Sequence, residues 1–366
     1  MNKAIRTLVL AVVSAIALSS AGTALAAYTT PKLLVTDAPP STTINFTQEA
    51  TDDPTAKLTF YAPPEYSASL TQPAGQTIGT VTAQGTAADL GGALLPLTGT
   101  VQVRAASGTY LSGTTQVPIA TASQMCTQTT THTAYWVLIL QAAGQTLELP
   151  VFVDSPAIGP QGTSAAAYAS ASIQACLPPP DVPVGTPVRA TFGFKLTQVD
   201  FKVNGVFSGA TSGQPRWRVL ATPYTPGRGT PNPTGSVEAQ SVVGLPRTVT
   251  LRRPAVRAVN RVVTLRIGGV ANLPAGVPAA LRLYRGARTP PTATSIVLRK
   301  SGNAFSGTLR IRQTTRAQIV FLQARATVAA GSVPCTPTFQ LLCTTATRAA
   351  IAVRSNIVRI VIPRRR

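Results

Sequence analysis

The chain has few of the side chains that most often carry out catalysis. Only 11 of its 366 residues are Asp or Glu, and His132 is the single histidine. Proton transfer, covalent attack and glycoside hydrolysis each need titratable groups placed close together. The sequence also contains no GxSxG elbow, no HExxH motif and no glycine-rich phosphate loop. We therefore predict a protein that is not an enzyme and that holds no cofactor or metal ion.

The acids and the histidine that are present do not suggest a site. Asp52-Asp53 and Glu65 come nearest to a carboxylate pair, and prolines stand beside them. We interpret them as solvated loop charges. Calcium binding by Asp52-Asp53 is the alternative, although no EF-hand loop surrounds them. His132 lies in a threonine-rich run and is predicted to be an exposed strand or loop residue.

Aromatic and charged residues are also scarce, at 5% and 12% of the chain. The apolar share of 44% is nevertheless ordinary for a folded protein, which argues against disorder. Short runs with strand periodicity alternate with turns rich in Pro and Gly, and no amphipathic helix stands out after the N-terminal segment. The sequence predicts an all-β fold built from β-sandwich domains.

Residues 1–26 have the pattern of a cleaved signal peptide. Lys3 and Arg6 precede an apolar run, Leu8–Leu18, that is too short to span a bilayer, and Ala24-Leu25-Ala26 offers a cleavage site. An uncleaved membrane anchor is the alternative. We expect a secreted or cell-surface-associated protein with no transmembrane segment after cleavage.

The four cysteines predict two disulfides if the chain is exported. Three pairings are open, and we favour Cys126–Cys176 with Cys335–Cys343 because each bridge then stays inside one predicted domain. A zinc site is the competing interpretation, but the spacings lack the CxxC pairs of zinc ribbons.

Composition divides the rest of the chain into two parts. Residues 27–245 are predicted to form an N-terminal all-β domain, with a further boundary near residues 178–187 left open by the run Pro178-Pro179-Pro180. Residues 246–366 are predicted to form a second, arginine-rich sandwich. Within the first part we predict strands or hairpins at Lys57–Tyr61, Ile78–Gln84, Gly99–Val103, Tyr135–Leu140, Leu147–Val153, Ala166–Cys176 and around Asn204-Gly205.

Charge is distributed very unevenly between these two parts. From Arg247 onward the chain holds 21 of its 32 Lys and Arg residues, and no acid follows Glu238. In Val263-Thr264-Leu265-Arg266-Ile267 the apolar and polar residues alternate, so that arginine faces solvent and aliphatic residues face the core. The predicted anion-binding face comprises Arg252, Arg253, Arg257, Arg261, Arg266, Arg310 and Arg312, with the tail Arg364-Arg365-Arg366.

Codon bias is the alternative explanation of this arginine content. Only 6 of the 32 basic residues are Lys, and Ala, Pro and Gly are abundant, as a GC-rich genome would produce. Such a bias accounts for Arg in place of Lys. It does not account for the lack of acids after Glu238.

The C-terminal third resembles the immunoglobulin-like or fibronectin-like β-sandwich modules of exported bacterial surface proteins. Three stretches carry the resemblance: the strand Val263–Gly269, which Gly268-Gly269 is expected to end in a turn, the hairpin Gly302–Leu309 after Lys300-Ser301, and the closing strand Val358–Ile362. The resemblance implies a spacer, adhesion or binding module and carries no catalytic residues. The Cys335–Cys343 segment and the lack of acids depart from the usual pattern.

These observations leave three functional hypotheses. The favoured one is an exported, non-enzymatic surface or extracellular protein that binds anionic wall polymers or polysaccharide through its basic face. Nucleic-acid binding through the same face is an alternative, disfavoured because stacking aromatics are few there. A carbohydrate-active enzyme with an appended binding module is the third, and it would need two facing carboxylates.

Overall fold

The computed structural model describes residues 28–209, 213–244, 247–274, 277–339, 341–343 and 345–365. The predicted signal peptide lies outside these residues. Strands account for 56% of the chain and helices for 6%, and the strands form several sheets. The predicted all-β, sandwich-type fold is therefore confirmed.

The first part of the chain forms one large sheet, two two-stranded sheets, an α-helix and four short 3₁₀ turns. The turns are Ala88–Leu90, Pro160–Gly162, Thr191–Gly193 and Pro233–Gly235, and the helix is α1 (Ile119–Thr127). The strands are β1 (Lys32–Ala38), β2 (Ser41–Thr47), β3 (Thr55–Ala62), β4 (Ser67–Ala68), β5 (Thr77–Ala87), β6 (Ala93–Arg104), β7 (Thr109–Ser112), β8 (Thr115–Pro118), β9 (Ala134–Ala142), β10 (Gln145–Asp154), β11 (Ala171–Cys176), β12 (Phe194–Asn204), β13 (Phe207–Ser208), β14 (Arg216–Pro223) and β15 (Val237–Val242).

Eleven of these strands pair in the order β1-β2-β12-β5-β6-β9-β10-β11-β3-β14-β15, all antiparallel. The sheet curls until β1 and β15 meet, and the amide of Val35 in β1 donates to Ser241 Oγ of β15 at 2.8 Å. One apolar core, with Trp136 and Trp217 fully buried, fills the inside of the curl. Since β12 pairs with β2 and β5, strands from both sides of residues 178–187 belong to the same sheet.

The last third forms two smaller antiparallel sheets that enclose a second core. Its strands are β16 (Thr248–Leu251), β17 (Ala255–Val259), β18 (Val262–Asn272), β19 (Ala279–Gly286), β20 (Ala293–Val297), β21 (Arg299–Ser301), β22 (Ala304–Arg312), β23 (Gln318–Val328), β24 (Gly331–Pro334), β25 (Thr345–Arg348), β26 (Ile351–Arg354) and β27 (Val358–Ile362).

We call the sheet β16-β18-β22-β21, with β17 beside β18, the front sheet, and the sheet β20-β19-β23-β26, with β27 beside β23, the back sheet. The inward residues Leu265, Leu283 and Leu322 pack between them. Each of the two sheets therefore has five strands, and strands adjacent in the sequence lie in part on opposite sheets.

Strands β24 and β25 leave the sandwich and extend the large sheet. β25 pairs in parallel with β15, and β24 pairs with β25, which brings the large sheet to thirteen strands. The segment between Cys335 and Cys343, which we call the disulfide loop, connects them. Both predicted disulfides are present, with Cα–Cα distances of 5.7 Å for Cys126–Cys176 and 5.9 Å for Cys335–Cys343.

Several local predictions were wrong. Asn204-Gly205 turns the chain, but β13 beyond it pairs with β4 and not with β12, so no two-residue hairpin forms. Gly268-Gly269 does not turn the chain either, because β18 continues to Asn272. A Cβ on Gly269 would overlap the ring of Phe305 and the carbonyl of Thr250, so the glycine here permits close packing within a strand.

Helix α1 was also missed by the sequence analysis. It lies on the outer side of the large sheet, where Ile119 and Ala122 pack against Val137 and Phe152. Its small residues give a weak amphipathic pattern. The disulfide from Cys126 to β11 fixes its C-terminal end to the sheet, and a sequence pattern cannot show that long-range bond.

Candidate functional site

The front sheet carries an outward row of arginines. Register places Thr264 of β18 between Arg257 of β17 and Arg310 of β22. Neighbouring strands lie about 4.8 Å apart, so the Cα atoms of these two arginines are roughly 10 Å apart. Arg266 and Arg312 occupy the adjacent outward positions of β18 and β22, and all four side chains are exposed.

The other predicted residues lie at the ends of this surface. The amide of Arg252 donates to the carbonyl of Gly268, which puts Arg252 at the end of the same face, and Arg253 follows it in the connection to β17. Arg261 lies in the turn between β17 and β18 with a positive φ of 66°. Arg364 and Arg365 are exposed, and Arg366 lies outside the described residues.

Sequence reasoning missed Arg299, which pairs with Ser306 and extends the outward surface onto β21. We use the term front arginine face for Arg252, Arg257, Arg266, Arg299, Arg310 and Arg312.

The back sheet has an arginine row of its own. Arg282 of β19 pairs with Arg325 of β23, which pairs with Arg354 of β26. Arg359 lies on the same outward face, opposite Phe321. We call these four residues the back arginine face. The prediction of one basic face was incomplete, because arginines cover both outer surfaces of the sandwich.

Carboxylates do not neutralise these arginines. Within the described ranges all four ion pairs lie in the N-terminal part of the chain, and their acids are Asp89, Glu148, Asp154 and Glu238. No Asp or Glu exists beyond Glu238 to offer another partner. The charge of both arginine faces is therefore available to an external anion.

The acids themselves serve the fold. Asp52 is buried and accepts hydrogen bonds from the amide and hydroxyl of Thr29, each 2.8 Å long, and from the amide of Glu49 at 3.0 Å. The interpretation of Asp52 as a solvated loop charge was thus wrong. The carboxylate of Asp52 accepts hydrogen bonds within a turn and is not solvated. Glu65, by contrast, is exposed. Among the described residues no group of three or more His, Cys, Asp or Glu could hold a metal ion.

His132 is buried, contrary to the prediction. Its Nδ1 lies 2.9 Å from Asp154 Oδ2, and its Nε2 lies 2.9 Å from Thr127 Oγ1 at the end of α1. The ring also stacks on Phe152 with centroids 5.1 Å apart. The partner acid lies on a distant strand, so local sequence could not reveal this cluster. Because Thr127 Oγ1 also donates to the carbonyl of Ser123 at 2.8 Å, the arrangement holds the helix end against β10.

The disulfide loop covers a polar patch on the large sheet. Glu238 of β15 is fully buried and accepts hydrogen bonds from the amide of Thr338 at 2.9 Å and from Gln240 Nε2 at 2.6 Å. Arg218 Nε lies 3.5 Å from Glu238 and donates to Thr338 Oγ1 at 2.7 Å. Burial lowers the pKa of Arg218 below its usual value, and the negative charge of Glu238 offsets part of this decrease. These contacts fasten the second part of the chain to the first.

Beside this patch, Phe339 of the loop completes an aromatic cluster. Its ring centroid lies 5.5 Å from that of Tyr61 and 5.2 Å from that of Tyr168. Burial raises the pKa of both tyrosines. The cluster is a packing contact, since it joins the loop to β3 and to the segment before β11.

Lys57 lies on the same outer side of the large sheet, in a cleft between α1 and β14. Its Nζ donates to the carbonyl of Cys126 at 3.1 Å, and burial lowers its pKa to about 8. Thr59 and Gln174, paired across β3 and β11, are buried in the floor of the same cleft.

No helix in the described part of the chain is long and apolar enough to cross a membrane. No family model, no curated protein and no solved structure matches this chain.

Proposed function

We propose that this chain is an exported, non-enzymatic β-sandwich protein that binds anionic wall polymers or polysaccharide through its arginine faces. The observation that carries the proposal is the pair of outward arginine rows with no carboxylate in the same third of the sequence. The signal-peptide pattern of residues 1–26 and the two disulfides support export, since such bridges persist in oxidising compartments.

Arginine suits this role for a geometric reason. Its planar guanidinium donates two parallel hydrogen bonds to a carboxylate or phosphate, so a row of arginines can hold successive groups of a polymer. Each neutralised charge releases counterions from the polymer, which makes such binding fall steeply as salt rises.

The aromatic side chains do not support single-stranded nucleic acid as the partner. Phe305 points into the sandwich core, the guanidinium of Arg325 covers Tyr284, and Phe339 packs against the large sheet. Bases would find few exposed rings on which to stack. The scarcity of exposed rings favours an anionic wall polymer or polysaccharide over single-stranded nucleic acid as the partner.

A salt-dependent pull-down tests the proposed function. We expect the protein to bind purified bacterial cell wall at about 0.05 M salt and to be released by about 0.5 M, because the higher concentration screens exposed charges. The triple variant R257Q/R266Q/R310Q should bind more weakly than the wild type. The matched variant K32Q/K202Q/R228Q, which removes three exposed charges from the N-terminal part of the chain, should bind almost as well. No binding at the lower salt, or equal losses in both variants, would contradict the proposal.

A further inference from the structure

We infer that the sandwich can bridge two anionic polymer chains, one on the front arginine face and one on the back arginine face. This inference rests on the proposed function and adds to it, because a protein with one face only coats a polymer whereas a protein with two opposed faces cross-links it.

The close spacing of the arginines on the back arginine face favours the binding of an anion. Arg282, Arg325 and Arg354 occupy one cross-strand row, with neighbouring Cα atoms about 5 Å apart. Like charges in such a row repel and destabilise a sheet. A bound polyanion would relieve that repulsion, so ligand binding and sheet stability are coupled.

The middle arginine of this row is held in place. The guanidinium of Arg325 lies 4.0 Å from the ring centroid of Tyr284, its Nε donates to Gln323 Oε1 at 3.2 Å, and its Nη2 donates to the carbonyl of Pro291. A cation stacked on an aromatic face is partly ordered before any ligand arrives. Arg282 and Arg354 on either side are exposed and free to adapt.

The two faces point in opposite directions. Front and back sheets enclose the core of Leu265, Leu283 and Leu322, so their outward residues lie on opposite surfaces. Packed sheets lie about 10 Å apart, and the extended arginines bring the charged groups to a separation on the order of 20 Å. This separation exceeds the Debye length of about 8 Å at physiological ionic strength, so polymers bound on the two faces repel each other little.

Bead aggregation measured by light scattering tests the inference with the full mature chain. The probe is polygalacturonate, a linear polycarboxylate, coupled to latex beads. The front variant is R257Q/R266Q/R310Q, and the back variant is R282Q/R354Q/R359Q. Arg325 is kept because it packs on Tyr284. The matched control is K32Q/K202Q/R228Q.

We expect the wild type and the control to aggregate the beads, and both single-face variants to bind the beads without aggregating them. An equal mixture of the two variants should not restore aggregation, because each molecule then has only one working face. If a single-face variant aggregates the beads like the wild type, the bridging inference is wrong. If the wild type binds but never aggregates the beads, only the inference fails; if it does not bind at low salt, the proposed function fails as well.

Discussion

Removing the carboxylate of Glu238 should detach the disulfide loop from the large sheet. This side chain has no solvent exposure, and its partner Arg218 is 12% exposed. Glu238→Ala would deprive the Thr338 amide of its acceptor and leave Arg218 without its counter-charge, while Gln240 Nε2 would keep only the carbonyl of Thr336. The substitution therefore removes one of the polar contacts that join the disulfide loop to the large sheet.

The expected loss in the free energy of unfolding follows from these contacts. Breaking a buried ion pair by removing one partner costs about 3–5 kcal/mol. Arg218 keeps the carbonyls of Tyr168 and Arg216 as acceptors, at 3.2 Å and 3.0 Å, which puts the loss near the lower end of that range. Glu238→Gln retains one oxygen acceptor and should cost less, about 1–2 kcal/mol.

Guanidinium unfolding monitored by tryptophan fluorescence measures the loss, since Trp217 lies on β14 beside Arg218. Chymotrypsin gives a second, local measurement, because cleavage after Phe339, which is half-buried against Tyr61 and Tyr168, should become faster when the loop lifts away. Glu49→Ala is the control, as Glu49 is exposed. A loss below about 1 kcal/mol for Glu238→Ala, close to that of an exposed control, would refute the reasoning.

Two further predictions concern Lys57, which is half-buried, and Gly269, which is buried. Lys57→Met should raise the free energy of unfolding at pH 7, because burial lowers the pKa of this lysine from 10.5 to about 8. Burying the charged lysine costs on the order of 3 kcal/mol of folding free energy. This cost is present in full below about pH 8 and disappears as the pH rises to 10.5. The free energy of unfolding of the wild type should therefore rise between about pH 8 and pH 10.5, and that of Lys57→Met should not show this rise. The prediction is wrong if both proteins have the same pH dependence, or if Lys202→Met changes the free energy of unfolding as much as Lys57→Met does. Gly269→Ala should cost about 1–3 kcal/mol in thermal unfolding, because its Cβ would overlap the ring of Phe305. Gly268→Ala, whose Cβ has its nearest neighbour at 3.7 Å, should be almost neutral, and equal effects of the two would exclude the packing explanation.

Strand periodicity predicted much of the fold because side chains alternate across a pleated sheet. Tyr135–Leu140 and Leu147–Val153 form the predicted hairpin as β9 and β10, joined through Gly144 at a positive φ of 77°. The closing strand Val358–Ile362 has the predicted bounds. Local sequence alone is enough for such features, because the turn and both strands lie within a few residues of one another.

Features that depend on distant partners were not predictable. His132 was expected to be exposed, and its burial depends on Asp154 of β10. Arg282 alternates with Leu283 as clearly as Arg266 alternates with Leu265, so its outward orientation was visible in the sequence. The sequence did not show that β19 pairs with β23 and that β23 pairs with β26. These pairings place Arg282 in one row with Arg325 and Arg354.

The sequence by itself determined that this third of the chain is strand-forming, that its arginines face outward and that no carboxylate of its own neutralises them. Local alternation and composition are sufficient for each of those statements. Only the tertiary structure decided that the arginines form two opposed rows and that the disulfide loop leaves the sandwich to join the large sheet. Strand order and register are set by contacts between residues far apart in the chain, and the free energy of those contacts depends on the packed core as a whole.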